Sequence, residues 1–595
     1  MKKFTIFSLL VVLTISLFVS PRSAHAAGNV YYVATNGSDS ASGSQSNPWK
    51  TIQKAANVAR AGDTVYVRGG RYNEKVVVKN SGSAGNFITF SAQPGETVTI
   101  DVSGVDMTED IQGGFNISEI SYVQVIGFRV INSKSTGMGG FGIVCYMSDH
   151  CVIKNNYTYN TYHSGIIVRS SANVTVDGNE VELANNDGSQ EMITIARSEF
   201  VTVTNNHVHH GGPGNNGGEG IDVKNGSHDI LVKGNRVHHV ARAGIYVDAY
   251  DEYTYNITIE GNFVYANERT GIAIEAENSG SLLKNVSIIN NIVFRNIRTG
   301  IILGDWGYGH LENIFIVNNT VAENGIGNGH GGIGLWNGRA NNVKVLNNIL
   351  SGNGSFTLEA QGTPLSEITI SHNLFDGFRN GGNEERGTNY VMGEAGFTNA
   401  SASDFSLLAA SPAIDEGTAT NAPVRDIAGT ARPNAAAHDI GAYEFKGSAP
   451  QPETILASNF NVSLNGWSKT GNVAINAIAP TIGARSAKMT GGAGMSRAIS
   501  TQGYASVTLV IYLGAKSYES AEQLKLSWWD GATWRVLTVI RDGTARENAK
   551  LNKIQIKLPA AATDNPNFML RIQQLNAAAD DFGYVDEVKL IGTPK

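Results

Sequence analysis

The chain has 595 residues, more than a single hydrophobic core usually serves, so two or more domains are expected. A formal net charge of −7 with only 16% charged residues argues against a basic protein that coats a polyanion such as nucleic acid. The sequence has 68 glycines and two cysteines, which suits many tight turns and excludes a fold held mainly by disulfides. Cys145 and Cys151 either bond across one turn or lie as buried thiols stacked in adjacent strands; the second arrangement is favoured.

Residues 1–26 have the pattern of a secretory signal. Lys2 and Lys3 form its basic end, residues 4–19 its apolar run, and residues 24–26 (Ala-His-Ala) a cleavage site of small residues. No second apolar run in the sequence is long enough to span a bilayer. We therefore expect a secreted, extracellular protein that is a monomer and has neither membrane nor nucleic acid as a partner.

A short helix is predicted near the start of the mature chain. Over residues 51–60, the apolar side chains of Ile52, Ala55, Ala56 and Ala59 recur at helical spacing. The exposed end coil of a solenoid needs a cap, and we expect this helix to provide it.

A repeat of 23 to 29 residues then runs to about residue 378, and each unit has a short apolar strand, a turn with Asn, and another strand. A fixed period with strand-rich units is typical of a parallel β-helix. We expect the recurring amides to stack in one ladder, because Asn tolerates the left-handed turn and can bond along the stack. The ladder asparagines are Asn156, Asn179, Asn206, Asn235, Asn262, Asn291, Asn319, Asn348 and Asn373.

Strand alternation predicts which side chains face solvent. In Gly-Ile-Asp-Val-Lys, Ile221 and Val223 point inward, so Asp222 and Lys224 point outward. The same reading of neighbouring coils gives three outward columns. They are Arg169, Lys224, Asp248, Glu275 and Trp336; Glu191 and Glu219; and Arg242, Arg269 and Arg298. Such a face, with Trp306 on the same side, favours an anionic chain as ligand.

After the coils, residues 403–445 resemble the strap that closes many exported β-helix proteins, and residues 447–452 form a linker by composition. Residues 453–595 have alternating strands without a coil period, which predicts a β-sandwich of jelly-roll type. This region resembles a carbohydrate-binding module. Its aromatic side chains stack on sugar rings or belong to its core: Trp467, Trp528, Trp529 and Trp534. The fold class is therefore all-β, a right-handed parallel β-helix (residues 27–446, with its cap) followed by a sandwich.

The opening segments YYVATNGSDS, NPWKTIQKA and GDTVYVRGGRYNE resemble the start of secreted right-handed β-helix polysaccharide lyases, particularly polysaccharide lyase family 9. That family has an Asp-Gly-x-Asp calcium motif, which residues 219–222 match with Glu for the first Asp, and Glu191 lies one coil earlier. Its lysine base would fall near Tyr246 or Ala273. The face also resembles polysaccharide lyase family 6, in which a calcium-binding glutamate precedes the catalytic lysine by five residues, as Glu219 precedes Lys224. Asp248 stands where that family has an arginine.

These resemblances imply a lyase that cleaves an acidic, uronate-containing polysaccharide by β-elimination. Elimination needs a carboxylate-neutralising group, a base and a proton donor. Ca²⁺ at Glu191, Glu219 and Asp222 would supply the first, and Lys224 the second. Candidates for the remaining catalytic roles are Asp248, Tyr246, His239 and Arg242. Substrate contacts are assigned to Arg169, Arg269, Arg298, Glu275, Trp306 and Trp336.

Three alternatives stay open. Asp222, Asp248 and Glu275 are outward carboxylates on consecutive coils, which also suits an inverting glycoside hydrolase. A non-catalytic surface protein that binds glycan would need only the outward charged face and no catalytic residues. Five histidines at adjacent turns (His207, His209, His210, His238 and His239) form either a surface stack or a metal site, and the stack is favoured.

Overall fold

The computed structural model describes residues 28–304, 306–447, 452–464, 466–542, 544 and 550–594. The predicted export signal and most of the predicted linker lie outside these ranges. Within them the chain is nearly all β, with a parallel solenoid of about 11 turns followed by an antiparallel β domain, so the predicted fold class is confirmed. The helices in this part of the chain lack the length and apolar character that crossing a bilayer requires.

Three parallel sheets form the walls of the solenoid, and their inward side chains build one continuous apolar core. Sheet 1 consists of Val30–Val33, Thr64–Val67, Ile88–Ala92, Val123–Ile126, Val152–Lys154, Thr175–Asp177, Thr202–Thr204, His228–Lys233, Tyr253–Glu260, Leu282–Ile289, His310–Val317, Asn341–Leu346 and Ile368–Ser371. Sheet 2 consists of Gly70–Tyr72, Val98–Asp101, Phe128–Ile131, Tyr157–Tyr159, Glu180–Glu182, His207–His209, Arg236–His238, Phe263–Tyr265, Ile292–Phe294, Thr320–Ala322, Ile349–Ser351, Leu374–Asp376 and Val391–Met392. Sheet 3 consists of Val76–Val77, Gly113–Ser118, Phe141–Tyr146, Ile166–Arg169, Ile193–Ala196, Ile221–Lys224, Ile245–Ala249, Ile272–Ala276, Ile301–Leu303, Ile333–Leu335 and Leu358–Glu359.

The corner before sheet 3 explains the Gly-Ile pair of the repeats. A Cβ on Gly220 would lie 2.4 Å from Val237 Cγ1 and 2.5 Å from the carbonyl oxygen of Gly244 in the next coil. Only glycine allows the backbone to pack this closely. Because the glycine fixes where each sheet 3 strand begins, it also fixes which of the following side chains face outward.

The nine repeat asparagines form one buried ladder, as predicted, from Asn156 to Asn373. The Asn235 Oδ1 accepts hydrogen bonds from the backbone (2.9 Å) and side-chain (3.0 Å) nitrogens of Asn206, and Nδ2 donates to Asn262 Oδ1 (3.0 Å). The left-handed residue is the one before each ladder position, such as Gly234 at φ 68°. The ladder asparagine therefore supplies the stacking amide, and its neighbour supplies the turn.

Replacement of Asn235 by alanine should lower the free energy of unfolding by about 1–3 kcal/mol, because buried polar groups of Asn206 and Val203 lose their partner. Urea unfolding followed by far-ultraviolet circular dichroism measures this effect. Asn383→Ala is the matched control, because Asn383 is exposed and its backbone is not left-handed, so stability should change by no more than about 0.5 kcal/mol. Equal unfolding midpoints for the two variants would contradict a stabilising role for the buried ladder.

The predicted helical cap is present as a helix over Ile52–Val58, with the Thr51 side chain accepting from the Lys54 backbone nitrogen. Its Gln53 side chain bonds both backbone groups of Val77, the end of the first sheet 3 strand. The strap (residues 403–445) packs on the outside of later coils. Its buried Arg432–Glu444 ion pair (2.6 Å) also binds a coil, because Arg432 Nη2 donates to Asn290 Oδ1 at 3.1 Å.

Nine antiparallel strands around a second apolar core form the C-terminal domain. They are Glu453–Ser458, Ser468–Asn476, Ser486–Ala498, Tyr504–Lys516, Gln523–Trp529, Trp534–Arg541, Asn552–Lys557, Met569–Leu575 and Phe582–Pro594. Trp467 and Trp528 are buried in this core, which removes them as sugar platforms. Trp529 and Trp534 are partly exposed with ring centroids 5.5 Å apart, and the Arg571 guanidinium lies over the Trp534 ring.

Cys145 and Cys151 are buried free thiols. They do not stack in neighbouring strands, because both belong to one coil: Cys145 lies in the sheet 3 strand Phe141–Tyr146, and Cys151 directly precedes a sheet 1 strand. A hydrogen bond with Cys151, followed by burial, raises the pKa of Cys145 well above its usual value, so the thiol stays protonated. The pair is part of the packing of the corner.

Candidate active site

The outward face of sheet 3 carries the predicted charged columns. Asp222 pairs in register with Thr194 on one side and with Tyr246 on the other. Asp248 pairs with Glu275, and Lys224 precedes Asp248 in the same column. The register of the strands thus places Asp222, Lys224, Asp248 and Glu275 on one outward face over three successive coils.

Lys224 lies between the carboxylates of two coils. Its Nζ is 2.5 Å from Glu191 Oε1 and 2.9 Å from Asp222 Oδ2. The second oxygen of Glu191 accepts from the Thr194 hydroxyl at 2.7 Å. The Lys224 side chain keeps 20% of its surface exposed, whereas Glu191 and Asp222 are almost fully buried. The ammonium is therefore the exposed tip of an otherwise buried ionic cluster.

Burial and mutual repulsion raise the pKa values of three acids in this cluster. Burial, with the charge of Glu191, raises the pKa of Glu219 to about 7, despite an ion pair with Arg242 (3.0 Å). Burial also raises the pKa values of Asp222 and Asp248 well above the usual range. For Lys224, burial acts to lower the pKa, but the charges of Asp222, Glu191 and Asp248 outweigh it and hold the pKa well above normal. In this arrangement Lys224 is a cation.

The raised Glu219 pKa predicts a pH-dependent stability. Between its ordinary value of 4.5 and about 7, the folded protein holds a proton that the unfolded chain releases. The stability from this group is therefore present below about pH 4.5 and is lost as the pH rises to about 7. Urea unfolding of calcium-free protein at pH 5 and pH 7.5 should show this loss, and Glu219→Gln should reduce it. An unchanged pH dependence in the variant would contradict the assignment.

The residues of the cluster suit a hard divalent cation. Asp222 Oδ1 and Asp248 Oδ1 are buried and have no hydrogen-bond partner. If all four carboxylates (Glu191, Glu219, Asp222 and Asp248) are ionised, as around a bound cation, their charges exceed those of Lys224 and Arg242 by two. Carboxylate oxygens are the ligands that Ca²⁺ prefers. Glu191 and Asp222 already bind the Lys224 ammonium, so a bound cation would compete with it for these oxygens.

A tyrosine hydroxyl and an apolar patch adjoin the cluster. The Tyr246 hydroxyl donates to Glu277 Oε1 (2.5 Å) and lies 3.2 Å from Glu275 Oε2. Burial, with the charges of Glu275 and Asp248, holds its pKa well above normal, so the hydroxyl keeps its proton. The outward column continues from Tyr246 into small and apolar side chains that form one cluster: Ala243, Tyr246, Ala273, Ile302 and, at its edge, Trp336.

The predicted substrate contacts are distributed along this face. Arg242 pairs with Glu219 and also donates to the Asn216 carbonyl oxygen, whereas Arg269 lies between Arg242 and Arg298 and is affected by both charges. Arg169 is separated from Lys224 by Ala196 in the same column. Trp336 donates to Glu359 Oε2 at 3.0 Å, and Trp306 is 63% exposed. The arginines and Trp306 are thus the outward groups on the later coils.

One candidate residue lies apart from the group around Lys224, and two residues of that group were not among the candidates. His239 follows the sheet 2 strand Arg236–His238, and its ring contacts His238, His210 and Tyr265. It belongs to the histidines of sheet 2 and not to the group around Lys224. Thr194 and Glu277 were missed; the signal for Glu277 was present, because it lies two residues after Glu275 in an extended segment.

Comparison with known families agrees with this architecture. A family model described as "Pel9A-like, right handed beta helix region" matches residues 31–192. A second model, described as "Right handed beta helix region", matches residues 141–321. The uncharacterized protein YwoF of Bacillus subtilis (strain 168) is 33% identical over 136 residues, which are 22% of this chain and 29% of that protein.

Pectate lyase PEL9 of Emericella nidulans is 29% identical over 158 residues, 24% of this chain and 37% of that protein. The chain thus spans about a third of the length of these curated relatives. The crystal structure of pectate lyase Pel9A is similar over 71% of this chain and 97% of that chain, at 17% identity and a TM-score of 0.45. The two family models together match residues 31–321 of the solenoid, and there the chain is similar to pectate-lyase-like right-handed parallel β-helix proteins.

Proposed function

We propose that the protein is a secreted polysaccharide lyase that cleaves a uronate-containing polysaccharide by β-elimination. The observation that carries this proposal is the sheet 3 cluster, in which Lys224 is the exposed tip among buried carboxylates that have unpartnered oxygens. The arginines on the next coils suit the carboxylates of an acidic chain. The Pel9A-like family match and the relationship to a protein named pectate lyase support the same reaction class.

In this proposal Glu191, Glu219 and Asp222, with Asp248 beside them, would hold Ca²⁺. The ion would neutralise the substrate carboxylate and thereby favour loss of the neighbouring proton. Lys224 takes the C5 proton once its amine is neutral. For that, its ion pairs with Glu191 and Asp222 must be released, because the present pairs hold its pKa high.

Tyr246 is the best-placed donor to the departing glycosidic oxygen. Its hydroxyl is protonated and next to Asp248 in the adjoining column. Arg242 is less suited, because its guanidinium is paired with Glu219 and donates to Asn216. The apolar cluster of Ala243, Ala273 and Ile302 offers a surface for a sugar ring, with Arg269 and Arg298 at its side.

The remaining predictions about the whole protein belong to the same proposal. Residues 1–26 would direct export, and the mature protein would act as a monomer. The β-helix (residues 27–446) would be catalytic, and residues 453–595 would bind carbohydrate. The two parts contact each other, since Lys557 of the C-terminal domain approaches Gly393 at the end of the solenoid.

A glycoside hydrolase is the second candidate, favoured by one observation. Asp222 and Asp248 are buried carboxyls in adjoining columns whose pKa values are both raised, so one can keep a proton while the other acts as base. Glu275 would be the alternative acid.

A screen of uronate-containing polysaccharides in the presence of Ca²⁺ separates the candidates. A lyase produces an unsaturated uronate that absorbs in the ultraviolet, together with new reducing ends. New reducing ends without ultraviolet absorbance would replace the lyase by a hydrolase. Binding without any cleavage, across substrates of differing uronate content, would indicate a glycan-binding surface protein instead.

A further inference from the structure

We propose a second metal site, for a Zn²⁺-class ion, on the outer face of sheet 2. It lies on a different sheet from the candidate active site and does not depend on the proposed function. Its four ligands come from three successive coils: Glu180, His207, His209 and His238.

The strand register brings these side chains together. His207 and His209 are two residues apart in one strand, so both face outward while Val208 points into the core. Glu180 pairs with His207 from the preceding coil, and His238 pairs with His209 from the following coil. The four side chains therefore cross three strands on one face.

Three of the side chains form a close group, and His238 joins it through His207. His209 Nε2 is 3.2 Å from Glu180 Oε1, and His207 Nε2 is 2.8 Å from His238 Nε2. Glu180, His207 and His209 offer ligand atoms that all lie within 4.8 Å of one another. In a tetrahedral zinc site, ligand atoms about 2.0–2.1 Å from the ion are roughly 3.3–3.5 Å apart. Rotation of these side chains toward a common point would bring the four ligand atoms to this geometry.

The two remaining histidines orient the ligands. His209 Nδ1 contacts His210 Nδ1 at 2.7 Å, and His238 Nδ1 contacts His239 Nδ1 at 2.7 Å. If each ligand donates its Nδ1–H to this neighbour, its Nε2 is left with a lone pair that points to the ion. A hydrogen bond from the non-ligating nitrogen is the usual support of metal-bound histidine. It also gives His210 and His239, both at left-handed turn positions, a defined role.

The donor set selects the class of ion. Three imidazoles and one carboxylate suit Zn²⁺ and related transition metals, whereas Ca²⁺ prefers oxygen ligands alone. An ion at this position would tie three coils together in the middle of the solenoid.

The test is Zn²⁺ binding by the full chain without a polyhistidine tag, measured by isothermal titration calorimetry and by metal analysis after dialysis. We expect one equivalent of Zn²⁺, a raised unfolding temperature that excess Ca²⁺ does not reproduce, and a visible spectrum of tetrahedral coordination with Co²⁺. His209→Gln and His238→Gln should weaken Zn²⁺ binding by at least about 100-fold, and His239→Ala by about 10–100-fold. His372→Gln, a partly buried histidine near the last coils, is the matched control and should bind as the wild type does.

Wild-type protein that retains no Zn²⁺ after dialysis, or variants that bind it as tightly as the control, would overturn this site. If a ligand variant fails to fold by circular dichroism, the Co²⁺ spectrum of the wild type decides alone: an octahedral, aquo-like spectrum would also overturn it. Cleavage of polysaccharide is not a readout, so failure of the lyase proposal leaves this test intact.

Discussion

Replacement of Lys224 by alanine is expected to lower turnover by a factor of about 10² or more, because the proposed elimination loses its base. The same change leaves Glu191 and Asp222 without their counter-ion, and breaking a buried pair in this way costs about 3–5 kcal/mol. Loss of activity in this variant therefore supports a catalytic role only if circular dichroism shows that the protein is folded and if it still binds substrate.

Lys224→Arg separates the two effects. Arginine keeps the positive charge near Glu191 and Asp222, but it does not release its proton near neutral pH and so is a poor base. We expect a folded, nearly inactive protein. Lys233→Ala is the control, because Lys233 forms an exposed pair with Glu260 on sheet 1, and its turnover should match the wild type. Near-normal turnover of Lys224→Arg would remove Lys224 as the base. If Asp248→Asn or Glu275→Gln abolishes cleavage while Lys224→Ala retains it, the hydrolase takes the place of the lyase.

Removal of calcium is the second change with a large expected effect. Exhaustive treatment with a calcium-selective chelator should abolish turnover, and added Ca²⁺ should restore it, because repulsion among Glu191, Glu219 and Asp222 is then balanced. Asp222→Asn should raise the Ca²⁺ concentration needed for half-maximal activity, since it replaces a buried carboxylate that has an unpartnered oxygen.

Asp177→Asn is the matched control for Asp222→Asn, because Asp177 is an outward carboxylate that pairs with Lys154 on sheet 1. It should leave the Ca²⁺ requirement unchanged. Restoration by Zn²⁺ rather than Ca²⁺, or full activity after chelation, would remove calcium from the proposal. The histidine variants of sheet 2 should respond to Ca²⁺ as the wild type does, which keeps the two metal proposals separate.

The parts of the fold that depend on periodicity could be predicted from sequence. The ladder from Asn156 to Asn373 and the outward direction of Asp222 and Lys224 both follow from a coil repeat and strand alternation. A second buried ladder at the other end of sheet 2 was missed, although it has the same spacing: Asn267, Asn296, Asn324 and Asn353. In a solenoid, the repeat period determines where a residue lies in its coil, and that place determines whether its side chain is buried.

The features that depend on side-chain contacts could not be predicted. A column assignment shows that Lys224 faces outward, but not that it bridges Glu191 of one coil and Asp222 of its own. That bridge determines the environment of the amine, because the charges of the carboxylates outweigh burial and hold its pKa well above normal. The position of His239 could not be predicted for a similar reason: strand alternation does not apply to a turn residue, so its ring could not be assigned to sheet 2 or sheet 3 beforehand.

The measurement that tests the central claim most directly is the mass of the product from the best uronate-containing substrate. Elimination leaves an unsaturated sugar at the new non-reducing end, so each such fragment should be lighter by one water than the fragment that hydrolysis gives. We expect this lighter product from wild-type protein with Ca²⁺, and none from Lys224→Arg. Fragments with the full mass of hydrolysis products would contradict the proposal that the sheet 3 cluster is an elimination site.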